Sequence, residues 1–427
     1  MTGFLILLCV LALVLINVPI AVALCIASVV AMLATQGVGS LPNVALTLYQ
    51  GATSFPLIAI PLFILAAAIM NTTGISHRLI DFCQAVVGWV RGGLAQVNVL
   101  SHMFFAEISG SAVAGVAATA SIIMPAMKER GYPGPFTAAC TSSTATLAII
   151  IPPSIPMILY AVMAGTSVVQ MFVAGIVPGL IASGGFMGLC YWYALRYNWP
   201  VEQIFAWGKL WRAFKHAFWA LTLPIIILGG IFGGIVTATE GAALAVVASL
   251  LVGGLVYREL DWPKLREAII DGTVQTGAVM LLVAASALLG LYLTEVQLPQ
   301  RIAETMLAIT KEKWAILAIM NVFFLIIGMF LHSAAAIILV VPIVMPAVTA
   351  AGIDPIHFGV MVTLNLAIGQ QTPPVASVLL LTCSIAKESV WDVTKANIPF
   401  IGVLLATLLL VTYVPVTTLG LVDLFYK

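Results

Sequence analysis

The sequence predicts an all-α polytopic membrane protein built from two inverted repeats, each carrying a re-entrant hairpin and a broken helix. Three observations carry that prediction: a composition that only lipid can solvate, a self-alignment at one fixed offset, and paired breaks inside long apolar runs. Of 427 residues, 62% are hydrophobic and 8% charged, against roughly 25% charged in soluble domains. A large core would be available in water, but the surface would lack solvating groups. The formal net charge is +1, so no global field draws nucleic acid or an acidic partner. Cys9, Cys25, Cys83, Cys140, Cys190 and Cys383 are scattered through apolar runs without a C-x-x-C pair. They suggest neither a disulfide framework nor a zinc site, and read as small packing residues.

Residues 3–34 are apolar almost throughout, no Lys or Arg precedes them, and the run is too long for the core of a signal sequence. They read as a first transmembrane helix, tilted because such a run exceeds the ~30 Å hydrocarbon core. Further stretches able to span or re-enter lie near 51–70, 94–127, 134–165, 168–195, 217–256, 274–294, 314–348, 356–386 and 397–422. Residues 74–100 are open to two readings. His77, Arg78, Asp81 and Gln84 fall at helical spacing, which fits a helix lying in the interface; a further crossing is the alternative. The connector from Arg196 to Lys215 holds Arg196, Lys209, Arg212 and Lys215 against Glu202, which places it in the cytoplasm by the positive-inside rule. Its Trp199, Trp207 and Trp211 suit the headgroup level, or an ordinary solvated connector.

At an offset of 221, Ile122-Ile123-Met124-Pro125-Ala126 falls on Ile343-Val344-Met345-Pro346-Ala347. Without a gap, Gly51 meets Gly272, Gly131 meets Gly352, Pro152-Pro153 meet Pro373-Pro374, and Pro178 meets Pro399. The chain therefore reads as two copies of one unit, 1–215 and 216–427. Internal repeats in a membrane chain point to a secondary carrier made of symmetric halves, often of inverted topology.

Two kinds of interruption recur in both halves. The first is a small-residue break, Glu107-Ile108-Ser109-Gly110-Ser111-Ala112 and Gly328-Met329-Phe330-Leu331-His332-Ser333. Its short apolar flanks fit hairpins around 94–127 and 314–348 with tips inside the membrane, where irregular backbone survives only buried or lining a cavity. The second is Ile151-Pro152-Pro153-Ser154-Ile155-Pro156, matched by Thr372-Pro373-Pro374-Val375. Consecutive prolines break helices around 134–165 and 356–386, because each lacks an N–H and clashes with the preceding turn. Carbonyls freed there, with the hydroxyls of Ser142, Ser143, Thr144 and Thr146, are ligands for a small hard cation. Thr363, Asn365, Gln370, Gln371 and Thr372 match them in the second half. The new helix N-termini would attract a substrate carboxylate, with Ser143, Thr144, Asn365 and Gln370 as candidate substrate contacts.

Ionisable residues inside a membrane are functional candidates: Glu107, Glu240, Glu295, His102 and His332. Glu107 and His332 adjoin the hairpin tips and are candidates for proton coupling. No nucleotide, zinc-protease or nucleophile-elbow motif occurs, so an ATP-driven pump and an intramembrane hydrolase are both disfavoured. A channel is the other non-carrier class; it would leave the ion path open continuously, and its flux would not saturate.

The motifs Ser109-Gly110-Ser111-Ala112-Val113-Ala114, Ile123-Met124-Pro125-Ala126-Met127, Ile150-Ile151-Pro152-Pro153-Ser154, Met171-Phe172-Val173-Ala174-Gly175, Asn365-Leu366-Ala367-Ile368-Gly369 and Thr372-Pro373-Pro374-Val375, with Ala59-Ile60-Pro61-Leu62-Phe63-Ile64-Leu65-Ala66 earlier, resemble the large membrane subunit of TRAP (tripartite ATP-independent periplasmic) transporters. The likeness covers the whole chain. It implies a multi-pass protein of the bacterial inner membrane, not an enzyme, that imports small organic acids driven by Na+. It also implies an elevator-type scaffold with a moving transport domain. The implied partners are a small four-helix membrane subunit, separate from this chain, and a periplasmic substrate-binding protein, besides membrane lipid. By that resemblance one Na+ site would use Ser109, Gly110 and Ser111 with the backbone of Ala148 and Ile151. The other would use Gly328, Leu331 and Ser333 with Gly369 and Thr372. Two positions depart from the pattern: many relatives carry an acid where Gly115 stands, and some where His332 stands. The alternative reading is a related proton- or sodium-coupled organic-anion carrier that works without a binding protein.

Overall fold

A computed structural model describes every residue except 1–4, 7, 8, 11, 14, 15, 17, 203 and 427. The described residues form α-helices throughout: α1 (Ile20–Gln36), α2 (Leu41–Ala52), α3 (Ala59–Thr72), α4 (Ile75–Val87), α5 (Gly93–Ser109), α6 (Ala112–Glu129), α7 (Gly134–Ala145), α8 (Ile155–Ala164), α9 (Val168–Arg196), α10 (Trp207–Phe232), α11 (Ala238–Leu250), α12 (Trp262–Glu295), α13 (Leu298–Ile309), α14 (Lys313–Phe330), α15 (Ser333–Ala350), α16 (Pro355–Gly369), α17 (Ser377–Ala386), α18 (Val390–Tyr413) and α19 (Val416–Tyr426). The extended pairing among them is a single bridge between Arg91 and Val201. By length and composition, eight of the described helices can cross a membrane, which makes the chain a multi-pass membrane protein.

The expected 3–34 helix is not one run: among its described residues Leu5, Ile6, Cys9, Val10, Ala12 and Leu13 are helical, the chain turns at Ile16, and α1 begins only after Pro19. The run 217–256 is two helices rather than one. α10 stops at Phe232 and the chain turns through Gly234, whose φ of +68° only glycine adopts without strain. Thr237 then opens α11 as its N-cap, and the Glu240 carboxylate bonds back to the Thr237 N–H at 2.8 Å. Glu240 is therefore an exposed capping residue, not a buried carboxyl. Glu295 is also exposed, at the end of α12, where it accepts from the Gln36 amide. The run 397–422 likewise divides at Pro415 into α18 and α19.

The 221-residue offset reappears in the helix boundaries. Shifted by it, both ends of α6 coincide with those of α15, α7 begins where α16 begins, and α5, α8 and α9 begin within one residue of α14, α17 and α18. The halves differ where Pro56 and a short 3₁₀ turn (Phe55–Ile58) separate α2 from α3. The matching stretch of the second half, with Gly277 in place of that proline, is the continuous 34-residue α12. Proline cannot supply the helix-interior hydrogen bond, so one half is kinked where the other is straight.

Packing divides the helices into two groups that cut across the halves. α12 lies against α1, α2 and α3, α11 against α3, and α10 against α4 and α11. In the other group α5 packs on α7, and α14 on α16. The hairpin arms then exchange partners: α6 packs on α17, and α15 on α8.

Residues 74–100 resolve into α4 and α5, separated by Gly88–Gly92. α4 is the amphipathic helix of the first reading. Its N-terminus is tied to the α11–α12 connector, where Glu259 accepts from the Gly74 N–H at 2.6 Å and from both Arg78 Nη atoms at 2.7 and 3.1 Å. Hydrogen bonding to Arg78 holds the Glu259 carboxyl below its ordinary 4.5. A depressed carboxylate stabilises the fold above its unfolded pKa, and that contribution fades as pH falls through the folded value. The pair is partly exposed, so the effect is about 1 kcal/mol or less. Wild type should melt higher than Glu259→Gln at neutral pH, and the gap should close below pH 4.5. A gap independent of pH would show that the ion pair contributes nothing.

Candidate functional site

Each hairpin tip meets a broken helix. In the first half, α5 ends at Gly110, which takes the left-handed conformation (φ +58°), and the chain reverses into α6 with Ser111 as N-cap. The Gly110 carbonyl accepts from the Ile155 N–H at 3.2 Å, the first residue of α8. A Cβ at Gly110 would stand 2.8 Å from the Pro153 oxygen, so the tip touches the break backbone to backbone. In the second half, the Met329 carbonyl accepts from the Val375 N–H at 3.2 Å. Gly328 and Gly369 pack so closely that a Cβ on Gly369 would stand 2.3 Å from the Gly328 carbonyl carbon. At the repeat offset these two glycines correspond to Glu107 and Ala148. The first half thus has a carboxyl where the second has a glycine contact.

The breaks themselves follow from proline. α7 continues as a 3₁₀ turn (Thr146–Ile149), and the chain then passes through Pro152 and Pro153. Pro152 cannot donate to the Ala148 carbonyl four residues back, while the Ser154 hydroxyl takes the Ile149 carbonyl at 2.8 Å. α16 ends at Gly369 before Pro373 and Pro374. The Pro152–Pro153 and Pro373–Pro374 bonds are both cis.

The expected sodium ligands separate into these two clusters. At the first, Ser109 Oγ lies 3.0 Å from the Phe105 carbonyl and 3.3 Å from that of Ser111, so three neutral oxygens converge at the tip. Ala148 and Ile151 are buried in the adjoining break. At the second, Gly328 is buried against Gly369, Ser333 is buried at the start of α15, Leu331 is half-buried, and the Thr372 hydroxyl donates to the Ile368 carbonyl at 2.9 Å. These oxygen donors suit a hard monovalent cation. Among the described residues no cluster of His, Cys, Asp and Glu suits a transition metal.

The candidate substrate contacts are distributed differently. Ser143 is fully buried and donates to Asn397 Oδ1 at 2.6 Å. Thr144 donates to the Cys140 carbonyl at 2.8 Å and lies 3.1 Å from His102 Nδ1. Asn365 donates to Asn321 Oδ1 at 2.7 Å, and its own Oδ1 has no protein partner. Gln370 is 2% exposed, and neither end of its amide has a partner. Of the four, Gln370 alone keeps its whole polar group uncommitted inside the protein. His332 is exposed at the N-cap of α15 and Glu107 is half-buried near the first tip. The two lie on different hairpins. Gly115 faces the buried His102, with a Cβ position 3.7 Å from the ring, and His102 Nε2 lies 2.9 Å from Thr119 Oγ1.

Sequence reasoning missed Asn397. The two breaks are bound to each other through it and Gln371: Ser142 Oγ donates to Gln371 Oε1 at 2.6 Å, Gln371 Nε2 donates to the Ser142 carbonyl at 2.6 Å, and Asn397 Nδ2 donates to Gln371 Oε1 at 3.2 Å. All are fully buried. The available signal was an amide inside the apolar run of α18, a costly placement unless it is bonded.

Comparison with known proteins decides the family. Residues 7–417 match the family model described as tripartite ATP-independent periplasmic transporter, DctM component. The chain belongs to this family. The C4-dicarboxylate TRAP transporter large permease protein DctM of Vibrio cholerae is 38% identical, over 95% of this chain and 94% of that one. The 2,3-diketo-L-gulonate TRAP transporter large permease protein YiaN of Escherichia coli is 38% identical over 87% of each. The isethionate TRAP transporter permease protein DctMQ of Oleidesulfovibrio alaskensis is 39% identical over 94% of this chain, which spans 63% of its length. The crystal structure of the Alcanivorax borkumensis YdaH transporter, a transporter of unusual topology, superposes with a TM-score of 0.62 at 16% identity, covering 89% of each chain; at that identity it shows the fold alone. This DctM-family chain is thus a transporter permease subunit, not an enzyme; the motifs at 109–114, 150–154, 365–369 and 372–375 lie at its hairpin tip and breaks, while those at 59–66, 123–127 and 171–175 lie within α3, α6 and α9.

Proposed function

We propose that the chain is the transport subunit of a sodium-coupled secondary carrier in a bacterial inner membrane, importing a small organic acid. The relatives' names support an acid as cargo, since they specify C4-dicarboxylates, diketogulonate and isethionate. The observation that carries the mechanism is the pair of hairpin tips, each set against a proline break and rich in neutral oxygens. Na+ bound at a tip draws it onto the break, and the unbonded amide of Gln370 and the helix N-termini after each break receive the carboxylate. The tripartite family description supports two further components, a small membrane subunit and a periplasmic substrate-binding protein; in this reading the small subunit has four helices.

Inversion follows from counting crossings. From the start of α9 to that of α18, the chain crosses through α9, α10, α11, α12 and the α16–α17 pair, an odd number, with the α14–α15 hairpin returning to its own side. In this reading α1–α4 and α10–α13 are the scaffold, while α5–α9 and α14–α19 move as one elevator body. Most of their contacts fall within those groups, while α12 and α13 against α15, and α4 against α5, join the two.

Ser111→Leu and Thr372→Leu should each raise the sodium concentration needed for half-maximal uptake at least about tenfold, the loss of ~1.4 kcal/mol of ion binding. The measurement is uptake into proteoliposomes holding this chain, its small subunit and a loaded binding protein. Unchanged sodium activation in both variants removes the assignment. The half-buried Glu107 beside the first tip favours a second reading, proton coupling. In that case uptake follows a proton gradient without sodium, and Glu107→Gln abolishes it.

A further inference from the structure

A cavity of about 630 Å³ opens where α4 meets α10 and the α11–α12 connector, on the side of the chain that carries the basic 196–215 connector. It is lined by His77, Arg78 and Asp81 of α4, His216 of α10, Glu259 and Lys264 beside the start of α12, and residues 71–74. None of these residues has a part in the hairpins or breaks.

One wall of the cavity is rigid. Arg78 is paired twice with Glu259, and its guanidinium lies 3.9 Å over the ring of Tyr257. The Tyr257 hydroxyl accepts from the Ala220 N–H and donates to the His216 carbonyl, fixing the wall to α10. Arg78 and Glu259 neutralise each other, so the open charges are one of each sign, Lys264 and Asp81. Lys264 donates one N–H to the Glu259 carbonyl at 2.8 Å, leaving two for a ligand. The imidazoles of His77 and His216 add donors, and both side chains are exposed to the cavity. The polar lining therefore matches a ligand bearing a negative oxyanion and a positive N–H donor a short distance apart.

Its surroundings indicate what such a ligand is attached to. Trp207, Trp211 and Trp262 are exposed to 75%, 57% and 72% on the same connectors, as aromatic side chains are at the headgroup level. Beside the cavity, Phe218 and Trp219 of α10 are exposed, as are Leu251 and Leu255 of the π-helical turn Leu251–Val256 that follows α11, an apolar surface beside a polar cup. We propose that the cavity holds the headgroup of a zwitterionic aminophospholipid from the leaflet on the basic side of the membrane. Lys264 and the two imidazoles take the phosphate, Asp81 takes the primary ammonium, and the acyl chains lie along α10 and α11. An ammonium side chain takes a phospholipid phosphate through charge-assisted hydrogen bonds. The occupant bridges α4 to α10 and α12 without touching the transport site.

The test is native mass spectrometry of the full chain in detergent, titrated with phosphatidylethanolamine, phosphatidylcholine, phosphatidylglycerol and soluble phosphoethanolamine. One tightly retained phosphatidylethanolamine is expected. Phosphatidylcholine, whose ammonium has no N–H, and phosphatidylglycerol, which has no ammonium, should bind more weakly. Asp81→Asn and Lys264→Gln should each weaken retention about fivefold, while melting curves confirm that both variants fold. Equal retention of all three lipids, or variants that bind like wild type, would mean an ordinary lipid annulus and overturn the proposal. Displacement by phosphoethanolamine at the concentration at which the lipid binds would assign the cup to a soluble phosphate ester and overturn it equally.

Discussion

Gly369→Ala is expected to reduce uptake by roughly 10- to 100-fold while leaving a folded, membrane-inserted chain. The added Cβ would stand 2.3 Å from the Gly328 carbonyl carbon and 2.5 Å from its Cα and oxygen. No side chain can rotate out of the way, since every atom it meets belongs to the main chain. The second hairpin tip must retreat from the break, and overpacking of this kind costs about 1–3 kcal/mol. That cost falls on one conformation only, the one with the tip seated against the α16 terminus. An equilibrium displaced by ~1.4–2.7 kcal/mol moves 10- to 100-fold. The readout is uptake in the same proteoliposomes beside a size-exclusion profile. Ala148→Gly, the change at the repeat-equivalent position, introduces no clash and should leave uptake within about twofold. Wild-type uptake by Gly369→Ala would show that the seated tip is dispensable.

Gln371→Leu should destabilise the chain by about 2–5 kcal/mol, because it takes a hydrogen-bond partner from the Ser142 hydroxyl and the Asn397 amide at fully buried positions. Thermal unfolding in detergent measures it, with Ser142→Ala and the double variant completing a cycle. The double variant should lose clearly less than the sum of the single losses, because the two side chains share one hydrogen bond. Strict additivity would mean that the breaks are held by packing alone.

Sequence periodicity made the crossings, hairpins and breaks legible for a definite reason. Glycine and proline leave local marks, and a repeat writes each mark twice, so Pro152-Pro153 and Pro373-Pro374 located both breaks and Gly110 located one tip. The 217–256 run hid a turn because Gly233-Gly234 sits in apolar sequence without charge, and neither glycine has a counterpart in the aligned first half. Which polar side chains face one another was not legible. Ser142 and Gln371 are 229 residues apart, and at a break the helical period no longer dictates direction. Ser143 and Thr144 therefore read as open ligands, although their hydroxyls are bonded to Asn397 and to the Cys140 carbonyl. The Gln370 amide, by contrast, has no protein partner at either end, and the Asn365 Oδ1 has none.

The exchange of partners between the hairpin arms has a consequence for biosynthesis. α6 rests on α17, and α7 contacts both α17 and α18, so the first half leaves the ribosome before the surfaces it needs exist. About 250 residues separate α6 from α17, and translation at ~5–20 residues per second leaves a wait of roughly 12–50 s. During that interval the first hairpin has only lipid, the insertion machinery or another membrane protein to cover it. A chain cut short anywhere before α17 would keep every first-half residue and still lack a finished first site. The duplicated unit is thus a repeat in sequence but not a separable folding unit, and the two halves mature together at the end of synthesis.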